Sequence, residues 1–328
     1  MIDRRRVLGA AAAMAGVSGA AWAGARAKAP PPRDLTGVWT NAWYTKLQRP
    51  KAFTALVVTP AEAEAYEKPR RAMNGEIVHE EDVVGQNQSE FPDNGPGLAR
   101  IRGEIRSSWI VDPVDGKIPW TTQAREGLHL DKRPPEKFDN VEDRDTDERC
   151  LTTNSAGAPM INSHDANLIQ IVQTRDHVAI VTEKNTELRI IRLAGAGGSA
   201  TAEPASGLGA RYGVSVGHWE GKTLIVETTR LRPGLNKIAD DLWLSDQARV
   251  TERFTRTGAA EIDYLFEVED PTLFTRPWRG EMVFRPAEGR MFEYACHEGN
   301  YSLPSILAAA RQGNQTPEAA SELAKAGK

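Results

Sequence analysis

Residues 249–268 read RVTERFTRTGAAEIDYLFEV, and this stretch decides the fold class. Two short runs that are rich in β-branched and aromatic residues, Arg249–Thr255 and Ile262–Val268, lie on either side of the turn pair Thr257-Gly258. Short runs of this kind that are separated by a glycine-containing turn are typical of a β-hairpin. The stretch therefore predicts two antiparallel strands.

Runs of the same kind continue on both sides of this hairpin. The pairs Asp115-Gly116, Glu220-Gly221 and Glu288-Gly289 separate neighbouring runs, and no helical pattern lies between them. Parallel neighbours need a crossover, so the pattern predicts an antiparallel meander. Because closure removes strand edges, we predict an all-β fold in which about eight to ten strands close into a barrel, with short flanking helices and long loops. The other predicted strands are 107–111, 117–120, 168–173, 178–183, 188–193, 223–228, 281–284 and 291–296.

The flanks of this strand region predict a single barrel domain over residues 35–312. The tripeptide Gly37-Val38-Trp39 is typical of a first barrel strand that places a Trp across the barrel floor. Thr59 and Pro60 begin a short helix that reaches about Met73, and a last helix runs from Leu303 or Pro304 to Arg311. Residues 74–104 and 123–166 are predicted as long loops, and 313–328 as a helical or disordered tail.

The first residues have the pattern of an export signal. Arginines 4–6 precede an apolar run that ends at Ala21-Trp22-Ala23, and this order is typical of a twin-arginine signal peptide over residues 1–23. Residues 24–34, with three consecutive prolines, then form a linker. We therefore expect a periplasmic or secreted protein without stable membrane insertion after signal removal. An uncleaved amphipathic anchor is the alternative.

Composition excludes several classes of function. The 328 residues include 41 basic and 45 acidic side chains, a net charge of -4 that gives no basis for a nucleic-acid partner. The sequence lacks a glycine-rich phosphate loop, a Gly-x-Ser-x-Gly elbow and a Cys-x-x-Cys-His haem motif. We therefore expect no cofactor, and a small molecule as substrate or ligand. The oligomeric state is not predicted.

The chain has two cysteines, Cys150 and Cys296. An oxidising compartment permits them to form a disulfide, which is the prediction. Two buried thiols are the alternative, because the geometry that decides between them is not visible in the sequence.

Reactive side chains are densest at residues 294–301, after the last predicted strand. If that strand continues, Tyr294 and Glu298 point to one face and His297 to the other. A Glu298 inside an apolar barrel would have a raised pKa and act as a general acid, with His297 as base and Tyr294 orienting the substrate. In the alternative interpretation, Glu298 and Asn300 cap the following helix.

Six further residues are candidates for substrate binding. Arg276 and Trp278 would lie at the barrel mouth, although a salt-bridged structural turn is equally typical of this pattern. The others are His218, Trp219, Trp109 and Arg189; for most of the tryptophans, core filling is the alternative.

A metal site is a minor hypothesis. His164-Asp165, His177, His218 and His297-Glu298 would have to converge as a two-His, one-carboxylate set. No His-x-His pair supplies two ligands from one strand, so we expect no metal.

These motifs together resemble a family of uncharacterised exported bacterial proteins. The resemblance is carried by SSWIVDP (107–113), WEG (219–221), EDP (269–271), TRPW (275–278) and YACHEGNY (294–301). The chain departs from the family in two places: residues 185–190 replace a His-Asp-x-Arg-x-Ile stretch, and His218 replaces an Arg. The family implies no reaction. The Gly-Val-Trp start and the meander also look like the calycin barrels, which include lipocalin-like ligand carriers and cofactor-free hydratases.

Taken together, the sequence predicts an exported barrel that binds a partly apolar small molecule. A cofactor-free lyase, hydratase or isomerase with acid/base chemistry is one hypothesis for its activity. A carrier or binding module without turnover is the alternative, and a metal-dependent cupin-like enzyme is a third.

Overall fold

The structure is a computed structural model that describes residues 33–76, 95–128, 130, 140–144, 146, 148–151, 157–163, 165–194, 212–239, 241–287 and 289–313. The predicted signal peptide, the 24–32 part of the linker and residues 314–328 of the tail lie outside these ranges. Within them, the helices are α1 (Pro60–Glu76), α2 (Thr122–Gly127) and α3 (Ser302–Gly313), and the strands are β1 (Gly37–Thr40), β2 (Val57–Val58), β3 (Arg100–Ile101), β4 (Glu104–Arg106), β5 (Ile110–Asp112), β6 (Leu168–Gln173), β7 (His177–Thr182), β8 (Glu187–Leu193), β9 (Val214–Glu220), β10 (Thr223–Thr229), β11 (Asn236–Ala239), β12 (Leu242–Leu244), β13 (Arg249–Gly258), β14 (Glu261–Glu269) and β15 (Trp278–Pro286).

Nine of these strands close into a barrel, so the predicted all-β barrel is confirmed. Their order around the ring is β1-β6-β7-β8-β9-β10-β13-β14-β15, and β15 pairs back onto β1. Strand β5 pairs with the beginning of β15 beside the ring. The remaining strands form two small sheets, β2-β4-β3 and β11-β12.

One neighbouring pair in the ring is parallel. Ile191 of β8 lies opposite Ser215 of β9, and Leu193 lies opposite Gly217, so the two strands run in the same direction. The other eight pairs around the ring are antiparallel. Strict alternation of direction closes a ring only when the number of strands is even. With nine strands one parallel pair is required, and the prediction that parallel neighbours are excluded is wrong at this pair.

The predicted strands from 168 to 284 match β6, β7, β8, β10, β13, β14 and β15 closely. Two predicted strands do not form. Residues 117–120 make a single bridge, from Trp120 to Phe274, since Pro119 cannot donate to a ladder. Residues 291–296 are not a strand either, and the Phe292 N–H there donates to the Glu183 side chain. Conversely, β9 forms at Val214–Glu220, where no strand is predicted from the sequence.

Alternation along the strands fills the barrel interior with apolar side chains. Val178 and Ile180 of β7, Leu224 and Val226 of β10 and Ile262 of β14 are all at most 1% exposed. Trp39 is buried, as predicted for the first strand, and its Nε1 donates to the Leu35 carbonyl over 2.9 Å. Arg256 of β13 lies over this indole ring.

The two predicted helices form with the expected signals. The Thr59 Oγ1 accepts from the Glu62 N–H while the Glu62 carboxylate accepts from the Thr59 N–H, which is a capping box at the start of α1. The helix ends at Glu76, slightly beyond the predicted Met73. Among the described residues, no helix has the length and apolar character to cross a bilayer.

Candidate functional site

A cluster of polar side chains lies inside the barrel, at positions where alternation would otherwise place apolar groups. We call it the polar belt; its members are Arg189 of β8, Ser215 of β9, Thr228 of β10, Glu252 of β13 and Tyr264 of β14. The five strands are consecutive neighbours in the ring. Each member is at most 6% exposed. The belt therefore runs along the inner face of the barrel from β8 to β14 and includes the parallel β8–β9 pair.

The centre of the belt is an ion pair between Arg189 and Glu252. Arg189 Nη1 donates to Glu252 Oε1 over 3.0 Å, and Nη2 donates to Oε2. Arg189 Nε donates to Ser215 Oγ over 2.9 Å, and Nη2 also donates to Thr228 Oγ1 over 2.8 Å. Burial alone lowers the pKa of Arg189, but the Glu252 carboxylate outweighs it and the pKa lies above its ordinary value. Arg189 is therefore held as a cation.

The guanidinium is almost, but not fully, satisfied. It carries five N–H groups, and the contacts to Ser215, Thr228 and Glu252 use four of them. One N–H on Nη1 has no acceptor among the described residues. This N–H is therefore available to donate to a bound molecule.

Tyr264 extends the belt to the far side. Its hydroxyl donates to Glu252 Oε1 over 2.8 Å and accepts the Met160 N–H over 2.9 Å. Burial, followed by the nearby Glu252 carboxylate, raises the pKa of Tyr264 well above 10.0. The phenol is therefore neutral at physiological pH, and both of its hydrogen-bonding directions are used.

Beyond Tyr264 the interior becomes aromatic. The Tyr264 ring centroid is 5.7 Å from that of Phe266, and Phe266 is 5.7 Å from Trp278 in an edge-to-face arrangement. Phe254 and Phe284 pack on the other side of Tyr264, at 4.8 and 5.1 Å. Charged groups and a continuous aromatic surface thus meet inside one barrel.

The structure places the predicted catalytic residues outside the barrel. His297 and Glu298 are exposed in a turn after β15, because the strand that was to carry them inward does not form. The burial on which the acid/base hypothesis depends is therefore wrong for Glu298. Asn300, however, accepts from the Leu303 N–H at the start of α3, so the cap interpretation is confirmed for Asn300. Tyr294 is half-buried, with the Lys184 ammonium 5.5 Å from its ring centroid.

The predicted binding residues divide into buried and surface groups. Trp109 and Trp278 are 0% exposed, and Trp109 Nε1 donates to Asn162 over 2.8 Å. Arg276 is on the surface, where it pairs with Asp112 at 2.9 Å and, through this hydrogen bond, lowers the pKa of Asp112. Arg276 and Trp278 therefore do not form one mouth cluster.

His218 and Trp219 are adjacent in β9 but face different surroundings. His218 is exposed and lies 3.1 Å from Glu220, while Trp219 is half-buried against the barrel core. Of the predicted binding residues, only Arg189 joins the polar belt.

Cys150 and Cys296 form the predicted disulfide. It ties the segment after β15 to residue 150, and Asn300 strengthens this link by donating to the Glu148 carbonyl over 2.8 Å.

Metal-binding geometry does not occur among the described residues, where no group of three or more His, Cys, Asp or Glu side chains converges. His164, one member of the hypothetical set, lies outside the described residues.

Four members of the belt were not predicted from the sequence: Ser215, Thr228, Glu252 and Tyr264. A signal for Glu252 does exist, because Val250, Glu252 and Phe254 alternate on one face of β13, and a Glu between two apolar residues of a buried face is unusual. Ser215 lies in β9, a strand that is not predicted from the sequence.

Comparison of the chain with protein-family models, with curated proteins and with solved structures finds no match. The similarity to exported bacterial proteins therefore rests on the sequence motifs alone.

Proposed function

We propose that the protein is an exported binding protein whose barrel takes up a small, partly apolar molecule without turning it over. The observation that supports this most strongly is the polar belt. It holds a buried Arg189–Glu252 pair, with one unused guanidinium N–H, inside a barrel that is lined mostly by apolar side chains. The proposal includes the predicted similarity to calycin-like ligand carriers and adds a polar end to the site.

The energetics of the belt favour a role in recognition. Desolvation of two charges costs about as much as their attraction returns, so a buried ion pair is weak evidence for added stability. Ligand sites, by contrast, combine mostly apolar walls with a few well-placed polar groups. The aromatic surface from Tyr264 to Trp278 supplies such walls, and the Nη1 N–H of Arg189 supplies the polar contact.

Binding without turnover fits the contacts better than acid/base catalysis. The Tyr264 hydroxyl directs its one proton to Glu252 and accepts the Met160 N–H, so its proton does not point to a substrate. His297 and Glu298 are exposed rather than desolvated. The two proton-transfer groups that the lyase, hydratase and isomerase hypotheses name are therefore not buried.

A pair of matched variants tests whether the barrel interior is the site. Val226 is 0% exposed inside β10, and Val172 is 41% exposed on the outer face of β6. We expect the purified protein to bind the apolar fluorophore N-phenyl-1-naphthylamine. Val226→Phe, which adds volume inside, lowers its affinity by about tenfold or more, a loss of roughly 1.4 kcal/mol; the same change at Val172 leaves the affinity unchanged.

Near-ultraviolet circular dichroism of Val226→Phe is the control, and it should show that the variant keeps its tertiary packing. Equal affinities for the two variants, or a loss only in Val172→Phe, would show that the fluorophore binds outside the barrel and would refute the proposal.

A further inference from the structure

Trp278 carries a buried hydrogen-bond donor without a partner. It is the first residue of β15, its side chain is 0% exposed, and its Nε1 has no hydrogen-bond acceptor among the described residues. Buried side-chain donors are nearly always paired, and Trp109 follows this rule through Asn162. Trp278 is therefore an exception, because none of the described residues supplies its acceptor.

The side chains around this indole explain why no acceptor comes from the described part of the chain. Phe266 and Phe274 both stand edge-to-face to the Trp278 ring, with interplanar angles of 88° and 89°. Phe266 is held there by Gly280, the residue opposite it on β15, since a Cβ at Gly280 would come within 2.0 Å of the Phe266 ring. The indole is thus fixed among hydrocarbon side chains.

Trp278 shares the inward face with the polar belt. Phe266, Tyr264 and Trp278 lie on the same side of the β14–β15 pair, because Phe266 is opposite Gly280 and Val268 is opposite Trp278. An apolar molecule that packs along the Phe266 ring would therefore reach from the Trp278 N–H toward the belt. Both unused groups, Trp278 Nε1 and Arg189 Nη1, are donors, so the site is matched to a molecule that accepts hydrogen bonds.

We infer that the barrel selects apolar molecules that carry a neutral acceptor oxygen, such as a ketone, ester or ether, and that the Trp278 N–H donates to this oxygen. The inference rests on the proposed function, since it names the chemical class of the molecule that the barrel binds. Donation of the N–H to the face of a phenylalanine ring is the competing explanation for its missing partner.

Two probes of nearly equal shape test the inference. 2-Acetylnaphthalene has a carbonyl group where 2-ethylnaphthalene has a methylene group. We measure the affinity of each probe by its displacement of N-phenyl-1-naphthylamine. We expect the affinity of the ketone to be about tenfold higher than that of the hydrocarbon, because the ketone makes one additional hydrogen bond. The Trp278 indole ¹H–¹⁵N resonance, one of those from the eight tryptophans, moves downfield with the ketone and not with the hydrocarbon.

Trp278→Phe keeps an aromatic ring and removes the donor. We expect the ratio of the ketone affinity to the hydrocarbon affinity to fall to about one in this variant, because the smaller ring changes the apolar contacts of both probes alike and removes only the ketone's hydrogen bond. Trp243→Phe, at a half-buried position on β12, is the matched control and retains the preference. If Trp278→Phe does not fold, the resonance shift in the unaltered protein decides.

The outcomes separate the two proposals. A ketone preference that survives in Trp278→Phe, or an indole resonance that does not respond to the ketone, overturns the inference. If both probes bind equally, the inference is wrong and the proposed function stands. If neither probe displaces the fluorophore, both are wrong.

Discussion

Tyr264→Phe removes one oxygen atom from the polar belt and should be strongly destabilising. The hydroxyl donates to the Glu252 carboxylate and accepts the Met160 N–H, at a position that is 0% exposed. A hydrogen bond to a charged acceptor contributes about 1.5 to 3 kcal/mol, and a buried N–H that loses its partner costs about 1 to 3 kcal/mol. The expected loss in the free energy of unfolding is the sum of the two, about 2.5 to 6 kcal/mol.

Urea denaturation measures this loss directly, with Tyr301→Phe as the matched control. Tyr301 is 79% exposed, so the same atomic change there should alter the free energy of unfolding by less than about 0.5 kcal/mol. If Tyr264→Phe were no more destabilising than Tyr301→Phe, the buried contacts of the Tyr264 hydroxyl would not be formed in solution, and the geometry of the belt would be refuted.

Three further predictions concern other parts of the fold. Gly280→Ala forces a Cβ into the Phe266 ring and should lower the free energy of unfolding by about 1 to 3 kcal/mol. Gly258→Ala, whose Cβ would meet no atom closer than 4.0 Å, should lower it by less than about 1 kcal/mol. Equal effects of the two variants would contradict the packing of Phe266 against Gly280. Burial raises the pKa of Asp263 above its ordinary 3.8, so the folded protein binds this proton more tightly and loses stability as the pH rises above 3.8. Asp263→Asn should therefore melt at a higher temperature than the unaltered protein at pH 7 and at the same temperature below pH 3. A lower melting temperature of the variant at pH 7 would exclude the buried carboxylate. Thiol titration of the denatured, unreduced protein should find no free thiol, and two titratable thiols would show that the disulfide is not formed. Replacing both Cys150 and Cys296 with Ser should lower the free energy of unfolding by up to about 5 kcal/mol, since the disulfide spans 146 residues.

The barrel was predictable because its strands are short, local and bounded by turns. Residues 168–173 and 249–268 have alternation and turn residues that depend only on near neighbours, and the structure matches them. The parallel β8–β9 pair was not predictable in this way, because it follows from the total number of strands that close the ring.

Local sequence pattern also predicted the functional site in the wrong segment of the chain. Residues 291–296 have strand-like alternation, yet their position is determined by distant contacts, namely the disulfide to Cys150 and the hydrogen bond from Phe292 to Glu183. The polar belt has the opposite character. Its five members come from five strands, and each strand contributes only one polar residue that is at most 6% exposed. No single segment therefore indicates the cluster, and Arg189 was predicted without its partners.

Intermolecular nuclear Overhauser effects between 2-acetylnaphthalene and the protein test the central claim most directly. Binding inside the barrel predicts cross-peaks from the naphthalene protons to the Val226 methyl groups and to the Trp278 indole, both of which are 0% exposed. It predicts none to the Val172 methyl groups on the outer face of β6. Cross-peaks to Val172 and other exposed groups alone would contradict the account, because the polar belt would then lie in a core that admits no ligand.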